Sequence, residues 1–278
     1  MASFVGGTSF VTKGLELAFP GRRRPRVPSQ VTALDLDGTM LRVVHAAPRG
    51  NRIEVVRIEA VRLDLASDAD RSDPAIIGKA VARALQSLGL TAASVVMGIP
   101  RAQVILRTLL LPSIQDIREL ASMVHLQIGR ELPFRMEDAV IDFKVRRQVG
   151  GGGLRTEGAL AGAGGDAPED QAPPPKLEVL VAAVKREAVD FFVQISEEAG
   201  LNLSALGLLP YANARCVEAC QVADGGQAFA LVSLRPDEVT IDVISEESLL
   251  FSRGASIRPA TEVTAPPDVP GDTPQQEG

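Results

Sequence analysis

The residues best suited to chemistry lie in one short stretch, Asp35, Asp37, Gly38 and Thr39 with Arg42 close behind, at the end of the apolar run Val31 to Leu36. Two tasks fit these residue types. In one, the paired carboxylates Asp35 and Asp37 with a bound metal serve phosphoryl transfer. In the other, the turn of a β-hairpin wraps phosphates with its backbone N–H groups. Asp35 then closes the first strand, Gly38 and Thr39 make the turn, and Arg42 supplies a basic group a few residues on. The first task needs a parallel sheet with a hydroxyl, a lysine and further acids at its strand ends. The second needs a strand that doubles back.

The surrounding pattern favours the second. After Val31 to Leu36 come Leu41 to Ala46 and then Ile53, Val55, Ile58, Val61 and Leu63 in partial alternation, with a turn at Pro48 to Asn51, so three strands precede the first helix. That helix is predicted from Asp73-Pro74, an N-cap followed by proline at the first helical position, to the stop at Gly89. Ser94 to Ile99 and Val104 to Leu111 read as buried strands closed by Pro100 and Pro112. A second helix is expected from Ser113 as N-cap, with Asp116 at the capping-box position, to about Arg130. Strands at Ala139 to Val145 and Leu177 to Val184 follow. A helix from Glu187 to Ala199, a strand at Leu201 to Leu208 and a helix from Tyr211 to Gln221 come next. The last part reads as a meander over Ala228 to Leu234, Val239 to Ile244 and Ser248 to Ser252.

The parts that phosphoryl transfer requires are poorly supplied. Lys185 follows an apolar strand and would serve, but Asp166, Glu169 and Asp170 fall in the Gly/Ala/Pro-rich stretch Gly150 to Pro175, and Asp237 and Glu238 sit in a β-turn. That stretch buries too little apolar surface to offset its ordering entropy, so a disordered surface loop is expected there.

Composition narrows the function classes. The chain has 278 residues, 45% of them hydrophobic, with 29 Lys plus Arg against 35 Asp plus Glu and a formal net charge of −6; this permits a sizeable core and argues against a dedicated nucleic-acid binder. Aromatic residues at 4% offer no stacking platform for bases. Two cysteines, Cys216 and Cys220, exclude a disulfide framework, and without a nearby histidine they read as small core residues. No run is long and apolar enough to span a bilayer, and the first thirty residues lack the order of a secretory signal. Localisation in the cytoplasm follows as an expectation.

An ordered series of segments carries a family resemblance. It consists of Gly98-Ile99-Pro100, Arg107-Thr108-Leu109-Leu110-Leu111-Pro112, Leu132-Pro133-Phe134, Ile141-Asp142-Phe143-Lys144-Val145, Leu177 to Lys185 and Ala199-Gly200-Leu201. In this order, from about Val31 to Ser256, the chain resembles the PilM-like proteins of type IV pilus assembly, related in fold to FtsA. The short stretch Asp35-Leu36-Asp37-Gly38-Thr39 also resembles the opening motif of haloacid-dehalogenase-like phosphohydrolases, which implies Asp35 as nucleophile on phosphorus, Asp37 as acid/base and magnesium on the transferred group; a magnesium-dependent phosphohydrolase using Asp35 and Asp37 is the alternative reading.

The PilM resemblance implies an α/β, actin-like (ribonuclease H-like) fold with an inserted small α/β subdomain and an incomplete second domain. The implied division is a flexible leader over 1–30, a first domain over 31–93 and 185–222, an insertion over 94–184 with a disordered loop at 150–175, a partial second domain over 223–256 and a disordered tail over 257–278. It implies a cytoplasmic adaptor, peripheral to the inner membrane, that accepts the short cytoplasmic tail of a PilN-like protein in a groove beside the insertion, with a homo-oligomer as a further option and no nucleic acid or transmembrane segment. It also implies ATP and magnesium at Asp35, Gly38, Thr39 and Arg42. Both phosphate turns depart from the family pattern, since Asp37 replaces a glycine and Ser233-Leu234-Arg235-Pro236-Asp237 replaces the second turn. Weak or absent ATP binding, and no turnover, is the expectation.

Overall fold

The computed structural model describes residues 30–49, 52–66, 69–90, 94–150, 174–220, 222, 227–236, 238–245 and 248–257. The expected leader and tail lie outside these residues apart from one residue at each inner end, as does nearly all of the expected 150–175 loop, and so do Asp166, Glu169, Asp170 and Asp237.

The entry to the fold is an antiparallel meander of β1 (Val31–Asp37), β2 (Met40–Arg49) and β3 (Arg52–Arg62). β1 also pairs in parallel with β4 (Val95–Ile99), which pairs in parallel with β8 (Leu203–Leu208), giving the strand order β3-β2-β1-β4-β8. This meander followed by parallel strands is the ribonuclease H-like half of an actin-like α/β fold. β4 therefore belongs to the first sheet, and the inserted strands begin after it rather than at residue 94. The difference has a simple cause: an apolar five-residue strand carries no sign of which sheet it joins.

Two helices cover this sheet. α1 (Pro74–Ser87) starts where Asp73 accepts a hydrogen bond from the Ala75 N–H at 2.8 Å, the N-cap contact that satisfies one orphan donor. It buries Ile77, Ala80, Val81, Ala84 and Leu85. α3 (Arg186–Glu198) buries Val189, Phe192 and Ile195 on the same core. The two helices pack so closely that a Cβ on Gly78 would stand 2.5 Å from Glu198 Cβ and 2.8 Å from the Ile195 carbonyl oxygen.

The insertion forms a second antiparallel sheet in the order β5-β7-β6, from β5 (Val104–Pro112), β6 (Ala139–Val149) and β7 (Lys176–Lys185). α2 (Ile117–Ile128) packs Leu120, Val124 and Ile128 against Leu109, Leu111, Val179 and Val181. Its N-cap is Asp116, which accepts from the Arg118 N–H at 2.8 Å, and not Ser113. The Ser113 N–H donates to the Pro175 carbonyl at 3.1 Å, so the chain is still extended beside β7 at that point. The inner ends of β5 and β7 place Val104, Ala182 and Val184 in the main core.

α4 (Leu209–Ala219) leads to a third antiparallel sheet, β11-β10-β9, built from β9 (Phe229–Leu234), β10 (Glu238–Ser245) and β11 (Ser248–Ser256). Ala214, Val217, Ile244 and Leu249 bury one face of it. Cys216 and Cys220 are exposed on α4 rather than in the core. The helix turns its Ala214 and Val217 side inward, which leaves the cysteine side to solvent.

Candidate functional site

Two regions combine polar chemistry with a concave surface. The first is the cleft where the β1–β2 turn faces the β9–β10 turn. Residues two apart on a strand share a face, so Asp35 and Asp37 both project from one side of β1. The turn is Gly38-Thr39, and Gly38 takes φ = +60°, a conformation that glycine adopts without a Cβ clash. The Thr39 carbonyl accepts the Leu63 N–H at 2.7 Å. Across the ladder, Arg42 stands opposite Asp35. The hairpin therefore brings all four sequence-predicted residues together.

What fills the space between the two turns is Arg235. Its backbone N–H donates to the Glu238 carbonyl at 2.8 Å and closes the β9–β10 turn, while the side chain crosses the cleft. Nη1 and Nη2 donate to the two Asp35 carboxylate oxygens at 3.1 and 3.0 Å, Nε donates to Asp37 Oδ1 at 3.2 Å, and Nη2 also donates to the Leu36 carbonyl at 2.9 Å. Bidentate pairing of this kind is the strong form of the interaction. Arg42 Nη1 donates to Asp35 Oδ2 at 3.2 Å and lies 2.5 Å from Asp37 Oδ2; the second is an ionic contact without hydrogen-bond alignment. The Asp37 side chain is 1% exposed and that of Arg235 12%. Burial alone would make the Arg235 guanidinium less basic, but its hydrogen bonds to Asp35 and the charges of Asp35, Asp37 and Glu238 more than offset this and raise its pKa above the ordinary value.

Below this ion cluster lies a second polar network. Arg101, in the short turn after β4, donates from Nε to Ser252 Oγ at 2.9 Å, from Nη2 to the Ser252 carbonyl at 2.9 Å, and from Nη1 to the Val104 carbonyl. Ser252 Oγ donates to Asp242 Oδ1 at 2.6 Å, and Asn213 Nδ2 donates to Asp242 Oδ2 at 2.9 Å. Asp242 is wholly buried, so both of its oxygens require these partners. Burial lowers the Arg101 pKa, and the charges of Asp242 and Glu238 counter it only in part. The cleft has a volume of about 260 Å³.

Sequence reasoning treated Arg235 only as an obstacle to a phosphate turn and passed over Arg101, Asn213, Asp242 and Ser252. A signal for the lower network was present. Glu238, Thr240 and Asp242 alternate along β10, and all three are buried, so polar residues occupy the inward positions of an otherwise apolar strand.

The second region is a groove between the inserted sheet and α4. Leu106, Phe143, Leu180, Leu208, Tyr211 and Leu249 line its apolar end. It continues into a cavity of about 150 Å³ bordered by Lys144, Arg146, Arg147 and Arg215, with Glu178 and Glu218. Lys144 Nζ donates to the Tyr211 hydroxyl at 2.7 Å and stands 5.1 Å from the ring centre. Glu178 accepts from Arg146 at 3.0 Å and from Arg147 at 2.9 Å. Asp142, at the apolar end, is pushed above the ordinary carboxylate pKa by burial, against the opposing hydrogen bond from the Phe143 N–H. Lys185, the lysine that a phosphohydrolase would use, pairs instead with Glu187 at 3.1 Å and faces the Phe134 ring.

Comparison with known proteins supports one of the two sequence resemblances. Residues 34–157 match the sequence family described as type IV pilus assembly protein PilM. Over these residues the chain is similar to the PilM family. Among solved structures, its fold superposes on the PilM–PilN type IV pilus biogenesis complex with a TM-score of 0.63 at 20% identity, over 83% of this chain and 62% of that one. The PilM-like chain thus spans less than two thirds of that relative. The cytoplasmic domain of EpsL, an inner-membrane component of the Vibrio cholerae type II secretion system, aligns with a TM-score of 0.44 at 14% identity, over 82% of this chain and 71% of its own. A Bacteroides thetaiotaomicron protein with an actin-like ATPase fold aligns at 0.42 and 10% identity, over 82% of this chain and 70% of its own. No curated protein matches the sequence significantly. The comparisons lend the haloacid-dehalogenase-like reading no support, and the chain after Thr39 returns as a strand.

The residues of the cleft do not fit the nucleotide and magnesium of the actin-like family. Two carboxylates that would face a phosphate-bound metal already hold two guanidinium groups, and Pro236 brings no N–H to the second turn.

Proposed function

We propose that this PilM-like chain is a cytoplasmic adaptor of type IV pilus assembly or a related secretion machine, binding the short cytoplasmic tail of a PilN-like inner-membrane protein. The observation that carries the reading is the groove beside the inserted sheet. It offers an apolar floor of Phe143, Leu180, Tyr211 and Leu249 next to a border of Lys144, Arg146, Arg147 and Arg215. Such a surface suits an extended peptide that presents apolar side chains to pockets and backbone carbonyls to cations. The family match and the fold of the PilM–PilN complex support the choice of partner. Among the described residues no helix is long and apolar enough to cross a membrane, so attachment through a partner is the consistent arrangement. Nucleotide turnover has no place in this reading.

The test is fluorescence anisotropy with a labelled N-terminal peptide of a PilN-like protein and the full chain. Saturable binding is expected, weakened about tenfold by Tyr211→Ala, as for an aromatic residue central to an interface. A folded chain that binds no such peptide, or a Tyr211→Ala variant that binds as well as the wild type, would overturn the proposal.

A further inference from the structure

We infer that Arg235 is the resident cation of the Asp35–Asp37 acid pair, standing where a divalent ion would otherwise bind, so that this chain ties the two turns of its cleft together without nucleotide or metal. This goes beyond the adaptor reading and does not depend on it.

Several observations converge on the same atoms. Asp35 and Asp37 share one face of β1 and would repel each other if left alone in a buried site. Three nitrogens of one guanidinium engage them, from a residue 200 positions away in sequence. The planar fork of arginine matches a carboxylate in two parallel hydrogen bonds, which a lysine cannot reproduce. Asp37 Oδ2 is buried without an aligned donor. Guanidinium geometry thus leaves one oxygen of the pair incompletely served, as a compact ion with several coordination sites would not. With Arg42 the cluster carries two negative and two positive charges. A phosphate seated directly on the Arg235 guanidinium would compete there with the Asp35 and Asp37 carboxylates. A divalent ion would have to displace the same guanidinium.

Arg235 also spans two parts of the fold. It starts in the turn of the third sheet and ends on β1 of the first. A cleft whose two turns are tied by an internal ion pair needs no ligand to fix their separation, which suits a protein whose task is to hold a shape.

The experiment measures Mn²⁺ binding by calorimetry and electron paramagnetic resonance, and Mg²⁺-ATP binding by fluorescent analogue. It uses the full chain as wild type, Arg235→Ala, Arg235→Gln and Arg235→Ala with Asp35→Asn, with circular dichroism to confirm folding. The wild type should take up neither ligand. Arg235→Ala should gain one Mn²⁺ site, at least about tenfold tighter than any wild-type binding, because two carboxylates left with Arg42 as their one cation keep a net negative charge that attracts a metal ion. Adding Asp35→Asn should abolish it. Wild-type binding of Mn²⁺ or Mg²⁺-ATP equal to that of the variant would overturn the inference, and so would a folded Arg235→Ala chain that gains no site. Should Arg235→Ala fail to fold, Arg235→Gln carries the same expectation. The melting temperature of the wild type decides independently: it should not change with saturating Mg²⁺-ATP, and stabilisation would contradict the inference. Peptide binding at the groove should survive in every folded variant, so a failure there bears on the adaptor reading alone.

Discussion

The cleft and the groove are both concave and both bordered by charge, yet they are finished differently. In the cleft, acids and guanidinium groups answer one another within the chain, and the side chains that would meet a ligand already have partners. In the groove, half-buried apolar side chains lie beside cations that pair with Glu178, Glu218 and the Tyr211 hydroxyl only along the border. The contrast teaches that one scaffold can place an ion cluster in one concavity and an apolar patch in another. Charges that pair across two elements fix those elements together, whereas half-buried apolar side chains at a sheet edge leave contact area for a partner.

Substitutions can break or sharpen this contrast. The largest effect is expected in the cleft. Asp37→Asn leaves Arg235 and Arg42 facing Asp35 alone with one buried charge uncompensated, and should cost about 3 kcal/mol in urea unfolding; a loss below about 1 kcal/mol would mean that the cluster behaves as a surface pair. Next is the network at the base of the cleft. Asp242→Asn turns one acceptor of a fully buried carboxylate into a donor facing Ser252 or Asn213, for an expected loss of about 2 kcal/mol, readable in the same denaturation series. The groove should be more tolerant. Tyr211→Phe removes only the hydroxyl that accepts from Lys144, and a stability change of about 0.5–1 kcal/mol is expected. The cation contact with the ring persists.

The smallest effect is a pH dependence. Burial would raise the Glu178 pKa, but the hydrogen bonds and charges of Arg147 and Arg146 outweigh it and hold the carboxyl below its ordinary 4.5. A carboxylate depressed on folding adds stability that is complete above the unfolded value and is lost as pH falls through the folded one. The wild type should therefore lose stability below about pH 4.5 more steeply than Glu178→Gln, whose acid limb should be flatter. Identical acid limbs would show that the Arg146–Glu178–Arg147 bridge contributes nothing measurable.

Much of the scaffold was legible in the sequence because its signals are local. Alternation around Asp37-Gly38 announced the hairpin, and Asp73-Pro74 with Gly89 bounded α1. Gly200, at φ = +67°, marked the end of α3. Where a local signal competed with a tertiary one, the sequence misled. Ser113 resembles an N-cap, but backbone pairing with Pro175 holds it extended and passes the role to Asp116. β4 has the composition of a buried strand without any mark of its neighbours, so its place between β1 and β8 emerged only from pairing. Asp35, Gly38, Thr39 and Arg42 can be grouped from the sequence because they are close in it and share one hairpin. Arg235 was not found, since its partners lie about two hundred positions away and no spacing rule reaches that far.

The central claim is that this PilM-like chain works through its groove and not through its cleft. The most direct measurement is calorimetric titration of the full, folded chain, in parallel, with Mg²⁺-ATP and with the N-terminal peptide of a PilN-like protein. The account predicts saturable heat with the peptide and none with Mg²⁺-ATP. Saturable heat with Mg²⁺-ATP and none with the peptide would contradict it.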